Sequence, residues 1–372
     1  MKDFDRCLTD IHAHFRVSGQ QAPGRTDKHS LLLYYHSCYT VYRDDYYAAR
    51  LTTLLKALVE ALSAGEPSPA TLLMLPLLAD LRKEYAGGEL LDGAGPGIDY
   101  HLYKKAMDLA LGQNLGYVNG LAGILNYFLG CLPNRQVESY LNQLLPPLLQ
   151  AFTTRYALKS NYQTSELGLA TGISGILLVL IKAYQKGFEQ EAIRKILKSK
   201  ILEILARKEK VDFAEKRYAI FPNKVVGSTG EAEYTRKLSW GSSDLNQSLL
   251  FHQAYEVYKD EDLRKMADVI GLNTLLRQDQ EATDITGSSF LEGSSGVAQT
   301  YLFLYSLSGH QAYRKGYDYW IERTVALLTD EMASGAYLNR EADLLNGLLG
   351  PALTLLSCQA GRPLAWSRCV LL

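Results

Sequence analysis

At 372 residues, 47% hydrophobic and 21% charged with a formal net charge of −1, the chain has a globular balance that offers no bulk attraction for nucleic acid. Its five cysteines, Cys7, Cys38, Cys131, Cys358 and Cys369, are scattered and form no CxxC pair, which excludes a disulfide framework and a zinc knuckle and leaves free thiols. The N-terminus is mixed and polar and the longest apolar run, Ile176 to Ile181, is too short to span a bilayer, so a soluble, cytoplasmic protein is expected.

From Leu31 to Leu62 the periodicity predicts two helices joined near Arg43-Asp44-Asp45. Residues 65–69, with Gly65, Pro67 and Pro69, break the chain, and a helix follows from about Ala70 to Tyr85, ending at Gly87-Gly88. The stretch Gly93-Ala94-Gly95-Pro96-Gly97 reads as a connecting loop. It lacks the preceding strand and the lysine of a phosphate-binding loop. His12 with His14, and His36 with Cys38, are spaced two apart and diverge on a helix, which points to surface or core roles.

After a helix over His101 to Leu111, one grammar recurs. GLAGI from Gly120, GISGI from Gly172, GSSGV from Gly293 and GLLGP from Gly347 each run into an apolar helix, and a degenerate copy begins at Trp240-Gly241-Ser242-Ser243-Asp244. The spacing of roughly 50 residues matches a helical hairpin per repeat. Ala192 to Lys210 predicts a basic outer helix with Ile193, Leu197, Ile201 and Ile204 on its apolar side. Arg217 to Ser239 predicts an excursion with a small hairpin. Small residues at the start of each inner helix let neighbours approach at a narrow mouth. The expected fold is therefore all-α: one α/α toroid domain over residues 1–372, built of six to seven helical hairpins, with its turns at about 116–123, 168–175, 240–250, 288–296 and 345–350 gathered at one end.

GYVNGLAG from Gly116, GLATGISG from Gly168, LSWGSSD from Leu238, LEGSSG from Leu291 and LNGLLG from Leu345 together resemble the lanthionine synthetase C-like cyclases. The resemblance implies an α/α toroid with one zinc that adds precursor-peptide cysteine thiols to dehydrated serine or threonine, forming thioether rings. It also implies zinc ligands at the positions of Gly241, Leu291 and Glu292, and an acid/base pair at those of Gly116 and Thr171. Here all the zinc ligands and the acid/base pair are replaced, so no zinc cofactor is expected. A thiol of pKa about 8.5 then has no evident activator.

The expected mouth is lined by Asn119, Thr171, Trp240, Ser242, Ser243, Asp244, Glu292 and Asn346, a polar, mildly acidic set suited to a peptide backbone or basic side chains. Asp244 and Glu292 are the catalytic candidates, with His252 further along as a companion in a substitute metal site. Ser289 and Glu292 also fit a helix-capping box. The leading expectation is a zinc-free scaffold of lanthipeptide-type biosynthesis, partnered by a precursor peptide or a peptide-modifying enzyme. The 25 tyrosines agree with peptide or protein contact. The alternatives are a zinc-independent cyclase working by proximity, and a glycoside-active toroid using Asp244 and Glu292 as a carboxylate pair.

Overall fold

The computed structural model describes residues 2–18, 28–65, 67–84, 89–155, 164–227 and 229–372. In chain order the helices are α1 (Lys2–Ser18), α2 (Leu31–Tyr42), α3 (Asp45–Ser63), α4 (Pro69–Glu84), α5 (Glu89–Leu111), α6 (Leu121–Gly130), α7 (Arg135–Arg155), α8 (Ile173–Gln185) and α9 (Gln190–Leu205). They continue with α10 (Asp244–Tyr258), α11 (Glu261–Thr274), the short α12 (Gln280–Thr283), α13 (Ser294–Ser308), α14 (Gln311–Ala333) and α15 (Leu349–Ala360). Three two-residue strands, β1 (Ser165–Glu166), β2 (Lys224–Val225) and β3 (Ala232–Glu233), form an antiparallel sheet in that order. The expected end of α4 at Tyr85 and Gly87-Gly88 lies outside the described residues.

Burial sorts the helices into two layers. In α6 every residue from Leu121 to Leu129 is buried, and in α8 every residue from Ile173 to Ile181, as an inner helix packed on all sides requires. In α9 only Ile193, Leu197, Lys200, Ile201 and Ile204 are buried, one face of an outer helix. The inner helices α4, α6, α8, α10, α13, α15 and α2 pack in sequence, and α3, α7, α9, α11 and α14 each cover the inner helix that precedes them. Here α5 lies between α3 and α7 and packs on α6. The last inner helix has no helix after it, and the first helix of the chain, α1, packs against it and α14. The result is an α/α toroid.

Inner helices reach their outer partners through tight corners. At Arg43-Asp44, Lys259-Asp260 and Gly309-His310 the first residue is left-handed and ends one helix, and the second caps the next with its side chain. The centre of the ring is filled by the 3-10 turn Ala365–Val370 near the C-terminus. Trp240 Nε1 donates to Val370 O at 2.9 Å, Tyr117 OH to Cys369 O at 2.9 Å, and Trp366 Nε1 to Ser357 Oγ at 3.0 Å.

Two expectations need correction here. Gly93 to Gly97 is not a loop but part of α5. Only Gly95 among its glycines serves packing: a Cβ there would lie 2.5 Å from Arg82 Nη2, and Arg82 passes this surface to reach Asp99 and Tyr127, both at 2.7 Å. The basic outer helix ends at Leu205 rather than Lys210, with the expected apolar residues buried. The hairpin within 217–239 is present as β2 and β3, and β1 joins it from the segment before Gly172. Of the spaced pairs, His12 contacts Tyr34 and lies 3.2 Å from Tyr42 OH, while His36 and Cys38 are buried.

Candidate functional site at the glycine turns

Each glycine turn has the same internal construction. In the second turn, a Cβ on Gly172 would lie 2.5 Å from Gly168 N and one on Gly175 only 2.1 Å from Leu169 O, so both positions exclude any side chain. Gly293 and Gly296 repeat this against Ser289 N (2.6 Å) and Phe290 O (2.0 Å). At Gly172 and Gly293 the backbone is extended, so close approach rather than a left-handed angle selects glycine.

The turns are joined by a belt of main-chain hydrogen bonds. Val118 N–H donates to Ala170 O at 2.9 Å, Leu169 N–H to Gly241 O at 2.9 Å, Gly241 N–H to Leu291 O at 3.0 Å, and Leu291 N–H to Leu345 O at 2.8 Å. Packing five turns at a narrow pole would otherwise leave these groups without partners. The belt stops at Leu345, whose N–H turns back to Asp343 Oδ1 at 2.8 Å. Among the described residues no donor reaches Val118 O at the other end.

Between those two ends opens a cavity of about 410 Å³. Leu73, Met74, Val118 and Leu345 give it apolar walls, while Asn119, Arg340, Asp343 and Asn346 supply polar groups. A concave apolar site with a few placed polar groups is the usual form of a binding pocket.

The expected mouth residues divide into two groups. Asn119, Thr171, Glu292 and Asn346 are exposed and Ser242 half-buried, and of these Asn119 and Asn346 line the cavity. Thr171 Oγ1 donates to Glu166, and Ser242 O accepts from Asn223 Nδ2 at 3.0 Å. Trp240, Ser243 and Asp244 are buried and do not line the mouth, which corrects that part of the expectation. Asp244, at the start of α10, pairs with the fully buried Arg277 and accepts from Ile220 N and Phe221 N, each at 3.0 Å. Its carboxylate is consumed in anchoring the excursion. His252 faces Asp268 at 3.5 Å instead of joining Asp244. The capping box is also corrected: Gly293 is the N-cap of α13, so Ser289 caps nothing there, and Glu292 pairs with Lys237.

Positions that the resemblance assigns to zinc, and those that it assigns to the acid/base pair, do meet in space. A Cβ on Gly241 would lie 2.9 Å from Leu291 Cδ1, and one on Gly116 3.3 Å from Thr171 Cα. The side chains there do not fit a zinc ion, because Gly241 and Leu291 offer no donor and Glu292 is held by Lys237. Among the described residues no group of three or more histidines, cysteines or acids could hold a metal. Burial also raises every cysteine: Cys7 to about 11, Cys131 and Cys369 to about 12, and Cys38 and Cys358 upward. None is a thiolate near neutral pH.

Sequence reasoning did not single out Glu166, Lys237, Arg340 or Asp343. A signal existed for two of them. Added Cβ atoms on Gly172 and Gly347 would lie 2.7 Å from Glu166 O and 1.7 Å from Arg340 O, so the turn motif extends six or seven residues upstream of its glycine.

The family model described as "Lanthionine synthetase C-like protein" matches residues 98–371. No curated protein sequence matches significantly. Among solved structures, one titled "Nisin cyclase" is similar with a TM-score of 0.74 at 16% identity, covering 100% of this chain and 98% of that one. At that identity the likeness concerns the fold. Among the described residues no helix is long and apolar enough to cross a membrane.

Proposed function

From the premise that this chain belongs to the lanthionine synthetase C-like family, we propose that it is a peptide-binding scaffold of lanthipeptide-type biosynthesis that works without zinc chemistry. The observation that carries this reading is the cavity of about 410 Å³ at the break in the main-chain belt. An extended peptide entering there meets the open carbonyl of Val118, the side-chain amides of Asn119 and Asn346, and apolar walls for its side chains. Main-chain pairing gives affinity and the walls give selectivity, as in other strand-addition sites. The rim around it, with Glu166, Lys237 and Glu292 at neighbouring turns, carries both charges.

Catalysis is not favoured, since among the described residues no histidine or cysteine lines the cavity and no group of side chains could hold a metal. Proximity alone is the remaining route to ring formation. Incubation with a dehydrated, cysteine-containing precursor peptide separates the readings. Saturable binding with rings closing at the spontaneous rate is expected. Ring closure clearly faster than that, and lost when Glu292 or Arg340 is changed to alanine, would replace the scaffold reading with a zinc-independent cyclase.

A further inference from the structure

At the pole opposite the glycine turns, a second cavity of about 530 Å³ lies where α2, α4 and α15 end. Arg43, Arg362 and Arg368 line it, and its one lining carboxylate is Glu84. That carboxylate lies 3.5 Å from the buried His36. Arg368 pairs with Asp80 at 2.9 Å, behind the cavity wall. The Arg43 guanidinium lies 5.3 Å from the centre of the Tyr39 ring, and neither Arg43 nor Arg362 has an ion-pair partner among the described residues.

Cations at helix C-termini are ordinary, because each helix end attracts one. Two features go beyond that. The unpaired guanidiniums face a shared cavity instead of separate helix ends, and a further cation stands behind them. Among the described residues Lys182, on α8, hydrogen-bonds an amide, Asn126 Oδ1 at 3.0 Å, and no carboxylate, and burial followed by the nearby Arg368 charge pushes its pKa down to about 8. The region thus holds more positive charge than its own carboxylates balance. Planar guanidiniums suit bidentate contact with phosphate oxygens.

We propose that this cavity binds a small phosphate-bearing anion, held by Arg43, Arg362 and Arg368. Titration calorimetry of the full chain with inorganic pyrophosphate, at constant ionic strength and neutral pH, tests it. Saturable binding is expected, weakened about tenfold or more by Arg43→Gln and by Arg362→Gln, the loss of one charge-assisted hydrogen bond. Arg362→Lys should recover part of the affinity, since charge returns without the fork. Both positions are exposed, and unchanged thermal melts would show the variants folded. No saturable heat, affinity unchanged from the parent chain in both glutamine variants, or equal displacement by chloride would overturn the proposal. Glycerol phosphate in solution and phosphatidic acid vesicles, compared in the same titration, distinguish a soluble ligand from a lipid headgroup. Binding of either, if sensitive to Arg362, sustains a phosphate site.

Discussion

Gly241 N–H donates to Leu291 O at 3.0 Å, joining the backbones of two turns that lie far apart in the chain. These are two of the three positions where the family resemblance places zinc ligands. The geometry that would gather a metal site is therefore retained by main-chain bonding that does not depend on the side chains present.

One prediction concerns that retained geometry. Purified protein should carry no stoichiometric zinc after dialysis against chelator, and the triple variant Gly241→Cys, Leu291→Cys, Glu292→His should gain close to one equivalent. Replacing Leu291 also removes the 2.9 Å contact that a Cβ at 241 would make with its Cδ1. Elemental analysis of both proteins decides; zinc in the unmodified chain would mean ligands elsewhere.

The turn glycines should be sensitive to a single methyl group. Gly296→Ala would set a Cβ 2.0 Å from Phe290 O and 2.9 Å from Trp240 Cβ, with an expected loss of about 1–3 kcal/mol or more. Gly97→Ala in α5 meets nothing within 4 Å and should stabilise by about 0.5–1 kcal/mol through helix propensity. Urea unfolding of the two variants should move in opposite directions.

Asp244 should matter for stability. Asp244→Ala leaves the buried Arg277 without its counter-charge and frees Ile220 N and Phe221 N, with an expected cost of about 3–5 kcal/mol. A variant with unchanged unfolding midpoint would return Asp244 to the list of functional carboxylates.

Filling the belt's gap should abolish peptide binding without unfolding the ring. Ala70→Trp places a large ring at the half-buried first turn of α4, against the cavity shared by Val118 and Asn346. Precursor-peptide affinity should fall at least about tenfold, the effect of roughly 1.4 kcal/mol. Thr171→Val, outside the cavity, should leave affinity unchanged.

Acid should loosen the closure made by α1. Burial and then Arg16 lower the pKa of His12 from 6.5 to about 4. A depressed pKa means that the unfolded chain takes up the proton first, so the stabilisation is complete above about pH 6.5 and is lost as pH falls toward 4. Because His12 holds α1 against Tyr34 and Tyr42 of α2, hydrogen exchange in α1 should accelerate over that range. His12→Gln should flatten the dependence.

The sequence alone established the helical pairs, the spacing of the glycine turns and which residues stand at 241, 291 and 292, because these are local facts. A glycine pair before an apolar run reports a close approach within six or seven residues, and a side chain without a metal donor, as at Gly241 and Leu291, is visible as a letter. Even the arginine-aspartate corner at Arg43-Asp44 was legible, since left-handed ends and caps are short-range devices. Tertiary structure decided everything that depends on what folds over a residue. Asp244 looked like a mouth carboxylate until Arg277 and the excursion at Ile220 and Phe221 closed over it. Gly93 to Gly97 looked like a loop because glycine and proline weaken a helix locally, whereas the passage of Arg82 across Gly95 supplies a reason that no local window contains. The packing of α1 on α15, the 3-10 turn filling the ring and the cavity between Val118 and Leu345 likewise arise from residues distant in the chain. Their partners are chosen by packing and by the need to satisfy buried polar groups, and neither is written at a single position.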